Sequence, residues 1–528
     1  MTTPVNTPGL SPSFASAGSA ILSLPSLQLS DDESRVLMWL TMRLFDQRPY
    51  LQLRGLYYDG LQKMQDLGIS IPPSLKGLRT IIGWPQTAVD AIDERCIVEG
   101  FRYPGTTDTD DDLWGIWQAN NLDLEASLAQ LDALVYGRCY ITVGPGDDAT
   151  NGEPLITAES PINMTASWDA RLRRPVAALQ IFLDTDFTSD MYGQEVAALY
   201  LPDRTVYMAR PNATGSPITG QGQWEITDRD HHNLGMLPVV RMANRQRLAN
   251  RDGLSEITAA MMNVTDSACR TMLGMEVGRE FHAAPRRYVI GAAEDAFVKS
   301  DGSAASAWDT YMGKIWGLER DEEGNAPKVG EFKTGDPKVY TELIDSYTQI
   351  MSGLTALPAE YLGLNTKGNP TSADAIRAQE ARLVKRVQRK MVSFGEAWEQ
   401  TLRLALLVRG GTLPEAAHRI ETDWVDPNTL TLSGVSDAIT KQVSAGIIPA
   451  TSDVGRKRLG YTAVERARIA LEEAKAPAEQ VIEEIGHSDI AKAAIEMARL
   501  EKVVDPNVLA QDTPGGVPGQ KPTPKGKP

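Results

Sequence analysis

Two groups of side chains have residue types that commonly bind metal ions. The run Asp108–Asp112 holds four carboxylates, and His231-His232 is a pair of adjacent imidazoles. An EF-hand requires Gly and Glu at fixed offsets that the acidic run lacks. Adjacent histidines point in different directions, and no cysteine or third histidine is near enough in sequence to complete a zinc site. We interpret the run as a solvated loop before a helix and the pair as a polar turn. We predict no metal, no other cofactor and no catalytic residue.

The sequence lacks the common motifs of nucleotide chemistry and hydrolysis. The phosphate-binding pattern GxxxxGK[ST] is absent. Gly144-Pro145-Gly146 and Gly220-Gln221-Gly222 do not complete GxGxxG and are typical of turns. Neither GxSxG nor HExxH occurs. The chain is therefore predicted not to be an enzyme, and an NTP-driven motor is the class most directly excluded.

Basic side chains form two clusters that could contact phosphate groups. One precedes a long predicted helix and the other lies on a second long helix: Arg241, Arg245, Arg247 and Arg251, then Lys385, Arg386, Arg389 and Lys390. The chain has 53 basic and 69 acidic residues and a formal charge of −16. This balance opposes tight, non-specific wrapping of nucleic acid. Pairing with the surplus carboxylates at a surface or subunit interface is the alternative role of both clusters.

Composition indicates a folded protein of several domains. The chain has 528 residues, of which 42% are apolar and 23% charged, as in ordinary soluble domains. No apolar run approaches the roughly 18 residues that span a bilayer, so we expect no membrane association. The three cysteines are far apart and form no CxxC pair, so they indicate neither a disulfide framework nor a metal site.

The hydrophobic pattern predicts a mixed α+β chain. Helices are expected from Asp31 to a stop or kink at Pro49, at Trp84–Cys96 and at Leu122–Tyr136. Longer helices are expected at 254–284, 337–351 and 372–409, and the region 427–503 is mostly helical in pattern. The predicted strands are Cys139–Val143, Leu155–Ile156, Val176–Leu183, Glu195–Leu201, Thr205–Met208 and Val239–Met242. Two long helices around a small β segment at 286–332 suggest an elongated subunit that stands beside copies of itself.

Several local strings, taken in order, resemble one family: the bacteriophage portal proteins of the gp6-like type, particularly those of phages that infect actinobacteria. No single string is diagnostic, and the specificity lies in their order across residues 50–410. The strings are Tyr57–Gly60, Val89–Arg95, Glu99–Arg102, Leu237–Val240, Asn244-Arg245, Gly253–Ile257, Pro358–Gly363 and Asn369–Ile376.

The resemblance implies a portal-type subunit with an α/β wing, two stem helices flanking a β-containing clip, a long wing helix and a helical crown. It divides the chain into a flexible arm (1–30), wing (31–252), first stem helix (253–284), clip (285–336) and second stem helix (337–352). A tunnel loop (353–371), the long wing helix and its return (372–426), the crown (427–503) and a disordered tail (504–528) follow.

The resemblance also implies a function and partners. Portal proteins of this type form rings, typically of twelve subunits, at one capsid vertex, and double-stranded DNA passes through the ring during packaging and ejection. The expected partners are the terminase large subunit, head-completion or adaptor proteins, and the major capsid and scaffolding proteins. The expected location is the virion, after assembly in the host cytoplasm. An acidic ring suits this role, because each phosphate held by a fixed cation hinders movement of the duplex.

Three sets of candidate site residues follow from this assignment. Asn365, Thr366 and Lys367 are the polar groups of the tunnel loop that could face DNA. Trp308, Tyr311 and Trp316 either anchor a partner at the clip, since aromatic residues dominate interface hot spots, or form the clip's own core. Trp398 and Leu402 are candidates for the oligomer interface, because the apolar stripe of their helix is longer than one wing domain is expected to cover.

Two alternatives compete with the portal assignment. Another phage head protein, such as a minor capsid or connector subunit, predicts no central channel, and the order helix, clip, helix counts against it. A metal-dependent enzyme that processes DNA ends, with Asp108–Asp112 holding the ion, predicts cleavage that depends on Mg²⁺.

Overall fold

The computed structural model divides the chain into two compact units, residues 1–428 and 429–528. The residues it describes are 28–62, 80–106, 109–147, 150–210, 224–283, 287–291, 326–331, 336–363, 373–428, 432–462 and 465–473. The α-helices of the first unit are α1 (Asp31–Tyr58), α2 (Trp84–Asp93), α3 (Asp111–Ala119), α4 (Leu122–Tyr136), α5 (Ala259–Ala283), α6 (Lys338–Thr355) and α7 (Ala373–Gly410).

Among the described residues, the strands all belong to the first unit and pair in antiparallel fashion, which together with the helices confirms the α+β class. Their bounds are β1 (Val98–Arg102), β2 (Arg138–Gly144), β3 (Leu155–Glu159), β4 (Met164–Asp169), β5 (Arg174–Leu183), β6 (Glu195–Tyr200), β7 (Thr205–Arg210), β8 (Glu225–Asp230), β9 (Val239–Ala243), β10 (Arg287–Ile290), β11 (Lys328–Glu331) and β12 (Glu421–Trp424).

Helix α1 starts where the sequence predicts but runs further. Ser30 and Glu33 form a capping box: the Glu33 N–H donates to the Ser30 hydroxyl at 3.3 Å, and the Ser30 N–H donates to the Glu33 carboxylate at 2.9 Å. Of the stop or kink predicted at Pro49, the stop is wrong, because α1 continues to Tyr58. Leu51 and Tyr57 are buried beyond the proline, so packing offsets the backbone hydrogen bond that proline removes.

Strands β4 to β8 form a five-stranded meander in the order of the sequence. Helix α1 covers one face of this sheet, because Leu37, Leu40 and Leu44 recur at helical spacing and pack against Leu179 and Leu199. The outer strands β4 and β8 were not predicted. The residues of β8 are mostly polar and at least partly exposed, which is typical of an edge strand.

A three-stranded sheet in the order β3-β2-β9 lies at the centre of the first unit. The side chains of β2 alternate between its two faces. Tyr140 packs with Met164 and Ala178 of the five-stranded sheet, whereas Cys139 and Ile141 belong to the main helical core. On that helical face, α4 packs mainly on β2 and β3 and α7 mainly on β9 and β2.

Helix α5, strands β10 and β11 and helix α6 form an excursion from this core. α5 has 25 residues and α6 has 18, close to the bounds predicted from sequence, and the two helices pack against each other. Between them β10 pairs with β11, with Arg287 opposite Glu331. The aromatic candidates Trp308, Tyr311 and Trp316 lie outside the described residues.

Helix α7 extends over 38 residues, as predicted, but its largest apolar side chains contact their own subunit. Trp398 and Leu402 are each 1% exposed within the single chain. The Trp398 ring packs edge-on against Trp117 of α3, with 5.1 Å between ring centroids. We therefore correct the assignment of these two side chains to an oligomer interface, because neither leaves surface for a neighbouring subunit to contact.

The second unit contains α8 (Leu432–Ser444) and α9 (Asp453–Arg458) among its described residues. Its largest buried apolar side chain there is Ile439. In the parts of both units that the structure describes, no helix is long and apolar enough to cross a membrane.

Candidate functional site

The buried carboxylate of Glu256 joins the two basic clusters of the sequence. Lys390 donates to one of its oxygens, and Arg386 donates to the other. Asn244 completes the group: its amide donates to Glu256 Oε1 at 2.9 Å, and its carbonyl oxygen accepts from Lys390. The guanidinium of Arg245 lies 4.0 Å from Glu256 Oε2. We call these five residues the Glu256 junction.

Two glycines permit the close backbone approach that places Glu256 there. Gly253 has φ +93°, and a Cβ on it would lie 2.1 Å from the carbonyl oxygen of Gly137. Gly137 has φ +96°, and a Cβ on it would lie 2.9 Å from the backbone of Leu254 and of Ser255. Only glycine tolerates both a positive φ and the lack of space for a Cβ atom. The Glu256 N–H can then donate to the carbonyl of Leu134 at the end of α4, at 2.9 Å.

Electrostatics keep the junction ionised. Burial by itself would raise the pKa of Glu256, but the adjacent Lys390 and Arg386 cations outweigh it and hold that pKa below its usual value. Burial lowers the pKa of Lys390 to about 8, because Glu256 only partly replaces lost solvation. Lys390 therefore still carries its proton at neutral pH. The cations here are matched to a carboxylate and are not offered to phosphate.

The junction connects the start of α5 and the end of α6 to the middle of α7. Glu256 lies three residues before α5, and Lys390 and Arg386 belong to α7. Arg386 also donates to the carbonyls of Leu354 and Thr355, which end α6. Terminal helix carbonyls lack partners within their own helix, so Arg386 supplies one. No nucleophile or acid–base pair takes part, and the arrangement acts as a clamp.

A second cluster fixes the segment that follows α6. The guanidinium of Arg95 lies 3.4 Å from Glu380 Oε1 and 3.2 Å from the Tyr361 hydroxyl, which itself donates to Glu380. Trp84 donates its indole N–H to the carbonyl of Leu362 at 3.1 Å. The chain is thus anchored up to Gly363. The predicted loop begins later than position 353, because α6 continues to Thr355.

The DNA-facing candidates Asn365, Thr366 and Lys367 lie outside the described residues, between Gly363 and the start of α7 at Ala373. The structure therefore shows what holds this segment at its two ends and leaves the role of its polar residues a prediction. Arg241, another member of the predicted basic clusters, is paired as well. Its guanidinium lies 2.8 Å from the Asp252 carboxylate and 4.1 Å from the centroid of the Trp168 ring.

The acidic run and the histidine pair have structural partners. Asp110 caps α3 by accepting the N–H groups of Asp112 and Leu113 at 3.2 and 3.1 Å. Asp112 forms a two-pronged ion pair with Arg409 of α7, at 2.6 and 2.9 Å. The ring nitrogen of His232 accepts the N–H of Leu234 at 3.4 Å. Within the described residues no three potential ligands approach closely enough to hold a metal.

Sequence reasoning missed Glu256 and Glu380 as central residues. Neither belongs to a local cluster, and each is recognisable only by the distant cations it meets in the fold. One signal was available: Asn244-Arg245 and Gly253–Ile257 are among the strings that carry the family resemblance. The junction now gives those strings a physical explanation.

Comparison with known proteins places this fold among viral head structures. Residues 39–456 match the model of the family described as "Phage portal protein, SPP1 Gp6-like". The chain belongs to this phage portal protein family, whose members are structural components of the virion.

Two curated relatives agree. The chain is 36% identical to the portal protein of Mycobacterium phage D29 over 429 residues, which cover 80% of this chain and 84% of the relative. It is 32% identical to the portal protein of Mycobacterium phage L5 over 511 residues, which cover 95% of this chain and 97% of the relative. A solved structure titled "Neck of empty GTA particle computed with C6 symmetry" matches with a TM-score of 0.43 at 13% identity, covering 71% of this chain and 89% of that one.

Proposed function

We propose that the chain forms a closed ring of twelve copies at one capsid vertex and that double-stranded DNA passes through the ring during packaging and ejection. The ring docks the terminase large subunit during packaging and head-completion or adaptor proteins afterwards, and it contacts the major capsid and scaffolding proteins. It assembles in the host cytoplasm. The observation that carries this proposal is membership of the portal family over most of the chain.

The helices and strands of the excursion can be assigned to the segments of a portal subunit. We assign α5 and α6 to the two stem helices, the region around β10 and β11 to the clip, and α7 to the long wing helix. The segment 31–252 is then the wing, and the second unit contains the crown. The Glu256 junction supports this division, because a single buried cluster fixes both stem helices to the wing where the excursion leaves and returns.

DNA passage requires contacts that are few and weak. Lys390 and Arg386 are committed to Glu256 and are not available to hold a duplex. The chain as a whole has a surplus of carboxylates, which opposes tight binding of DNA. We assign DNA contact to Asn365, Thr366 and Lys367, on a segment anchored at Tyr361 and Leu362. We assign partner docking to the clip, with Trp308, Tyr311 and Trp316 as its candidate anchors.

Negative-stain electron microscopy of the purified protein tests this function most directly. Rings with a central opening are expected at micromolar concentration. Only compact monomers at high concentration would contradict the proposal. Alanine variants at Trp308, Tyr311 and Trp316 separate the two roles open to those residues: intact rings without adaptor binding indicate an interface, and loss of the ring indicates the clip's own core.

A further inference from the structure

A groove of about 700 Å³ lies between α7, β9 and the turn that joins β4 to β5. Its lining includes arginines from two separate elements and an exposed valine from α7: Arg173, Arg174, Arg389 and Val392. Glu396 is the carboxylate of the lining. None of the three arginines has an ion-pair partner among the described residues. We call this surface the basic groove.

The turn beside the groove is built to present its arginines. Asp169 accepts the N–H groups of Arg171 and Leu172 at 2.7 and 2.8 Å, and its carbonyl accepts the N–H of Arg173. Arg173 has φ +55°, a conformation uncommon for a residue other than glycine. These backbone contacts fix the turn while the side chains of Arg173 and Arg174 remain exposed. The groove also contains Val392, which is 71% exposed.

A second surface has the opposite character. Four carboxylates come together where α1 ends and α2 ends, beside two exposed leucines of α4: Asp59, Asp90, Asp93, Glu94, Leu124 and Leu128. None of the four has an ion-pair partner among the residues that the structure describes. The Oδ1 atom of Asp93 is buried and has no hydrogen-bond partner there. We call this surface the acidic face.

The two surfaces are built on different helices that pack on one sheet. The acidic face belongs to α4, which packs on β2 and β3, and to its neighbour α2; the basic groove belongs to α7 and β9. Strands β3 and β9 are the two edges of the three-stranded sheet. A ring requires a heterologous contact, in which different surfaces of neighbouring copies meet. Copies with a charge of −16 also repel each other unless a basic surface of one meets an acidic surface of the next.

We propose that, in the ring assigned above, the basic groove of each copy takes the acidic face of the next. Arg173, Arg174 and Arg389 meet the carboxylates of Asp59, Asp93 and Glu94, and Leu124 and Leu128 enter the groove beside Val392. Arginine suits such a contact because its planar guanidinium binds carboxylates with two parallel hydrogen bonds. The inference rests on the ring of the proposed function.

Charge reversal tests the contact without disturbing the subunit. Arg173→Glu with Arg174→Glu makes both surfaces acidic, and Asp59→Arg with Glu94→Arg removes the net negative charge of the acidic face and places two arginines opposite the arginines of the groove. All four side chains are exposed, and the new arginines follow helix ends, where positive charge is favourable. The control, Arg35→Glu with Lys441→Glu, changes the total charge as much as the first variant does. It uses exposed residues of α1 and α8.

Mass photometry and negative-stain microscopy at low salt then distinguish the outcomes. We expect each double variant alone to raise the protein concentration at which half of the subunits are assembled by about tenfold or more. The control should leave this concentration unchanged. High salt should reduce the difference between each double variant and the wild type. An equimolar mixture of the two double variants should assemble again, because each altered surface meets its opposite on the other variant.

Each result decides a separate point. Rings formed by either double variant as readily as by the wild type would overturn the contact while leaving the ring itself intact. Failure of the mixture to assemble, when each variant remains folded by circular dichroism, would overturn the pairing of these two surfaces. A wild-type protein that stays monomeric in every condition would overturn the ring of the proposed function, and this contact with it.

Discussion

Glu256 lies between two cations in a site where its carboxylate is almost fully shielded from water. If a neutral side chain replaces Glu256, Lys390 and Arg386 lose the anion that they share. Buried pairs contribute modestly when intact because desolvation offsets their attraction, but they are costly to break. The junction is therefore best tested by removal of one partner.

Glu256→Gln should lower the free energy of unfolding by about 3 kcal/mol, since it leaves the buried Lys390 and the partly buried Arg386 without their shared counter-ion. Urea titration followed by tryptophan fluorescence measures the change. The matched control is Glu421→Gln, which removes an exposed carboxylate 3.3 Å from Arg102 and should cost less than about 1 kcal/mol. Equal effects of the two substitutions would show that the junction is not a buried clamp.

Asp93→Asn should stabilise the monomeric subunit at neutral pH. Burial, together with the nearby Asp90 and Glu94, raises the pKa of Asp93 to about 6, above the value of about 3.9 in unfolded chains. Ionisation therefore opposes folding, and stability is lost as pH rises from about 4 to 6. The gain from asparagine should be about 1 kcal/mol at pH 7.5, after allowance for solvent screening of a half-buried group. A gain that persists undiminished at pH 4 in thermal unfolding would contradict this cause.

Individual residues show where sequence reasoning ends. The helical stripe of α7 correctly marks Trp398 and Leu402 as buried, because spacing reports the face of a helix. Spacing does not report which surface covers that face, and here it is Trp117 of the same subunit. The sequence did not mark Arg173 and Arg174 as a site, because two adjacent arginines are not a cluster by themselves. They form part of a basic surface only because the fold brings Arg389 into the same groove.

At the scale of elements, strong hydrophobic periodicity predicted the long helices and most central strands. Local sequence signals did not predict helix ends and short strands whose position depends on packing against distant parts of the chain. Helix α1 passes Pro49 because residues on both sides of the proline are buried. Strands β1 and β12 are short, and Val98 pairs with Trp424 across more than half the chain. Such a pairing is stabilised by contacts that no sequence window includes.

Arg386→Met should loosen the end of α6 specifically. The substitution keeps an apolar stem but removes the donor to the carbonyls of Leu354 and Thr355. Hydrogen–deuterium exchange should become faster in peptides that cover the last turn of α6, while the central strands stay protected. Lys385→Met is the control, since Lys385 is exposed. Unchanged exchange at α6 would show that Arg386 does not hold the helix end.

At the scale of the whole molecule, the charge distribution separates two tasks. Buried cations such as Lys390 hold the subunit together, and the exposed arginines of the basic groove are available for a neighbouring copy. Neither set is then available to hold DNA. A channel protein benefits from this separation, because contacts that fix the ring need not also bind the duplex.

Lys367→Glu should slow DNA packaging or weaken DNA retention without preventing ring assembly. Its segment follows the anchored residues Tyr361 and Leu362, so a lysine there is tethered close to a fixed point while its ammonium can pass from phosphate to phosphate. In the proposed ring of twelve, the substitutions would add negative charge next to the duplex, and the defect should shrink as salt rises. Lys367→Ala should also slow packaging or weaken DNA retention, but to a smaller extent. Lys441→Glu, at an exposed position of α8, makes the same charge change in each subunit and should package normally. A phage carrying Lys367→Glu that packages and retains DNA at the control rate would remove Lys367 from the channel.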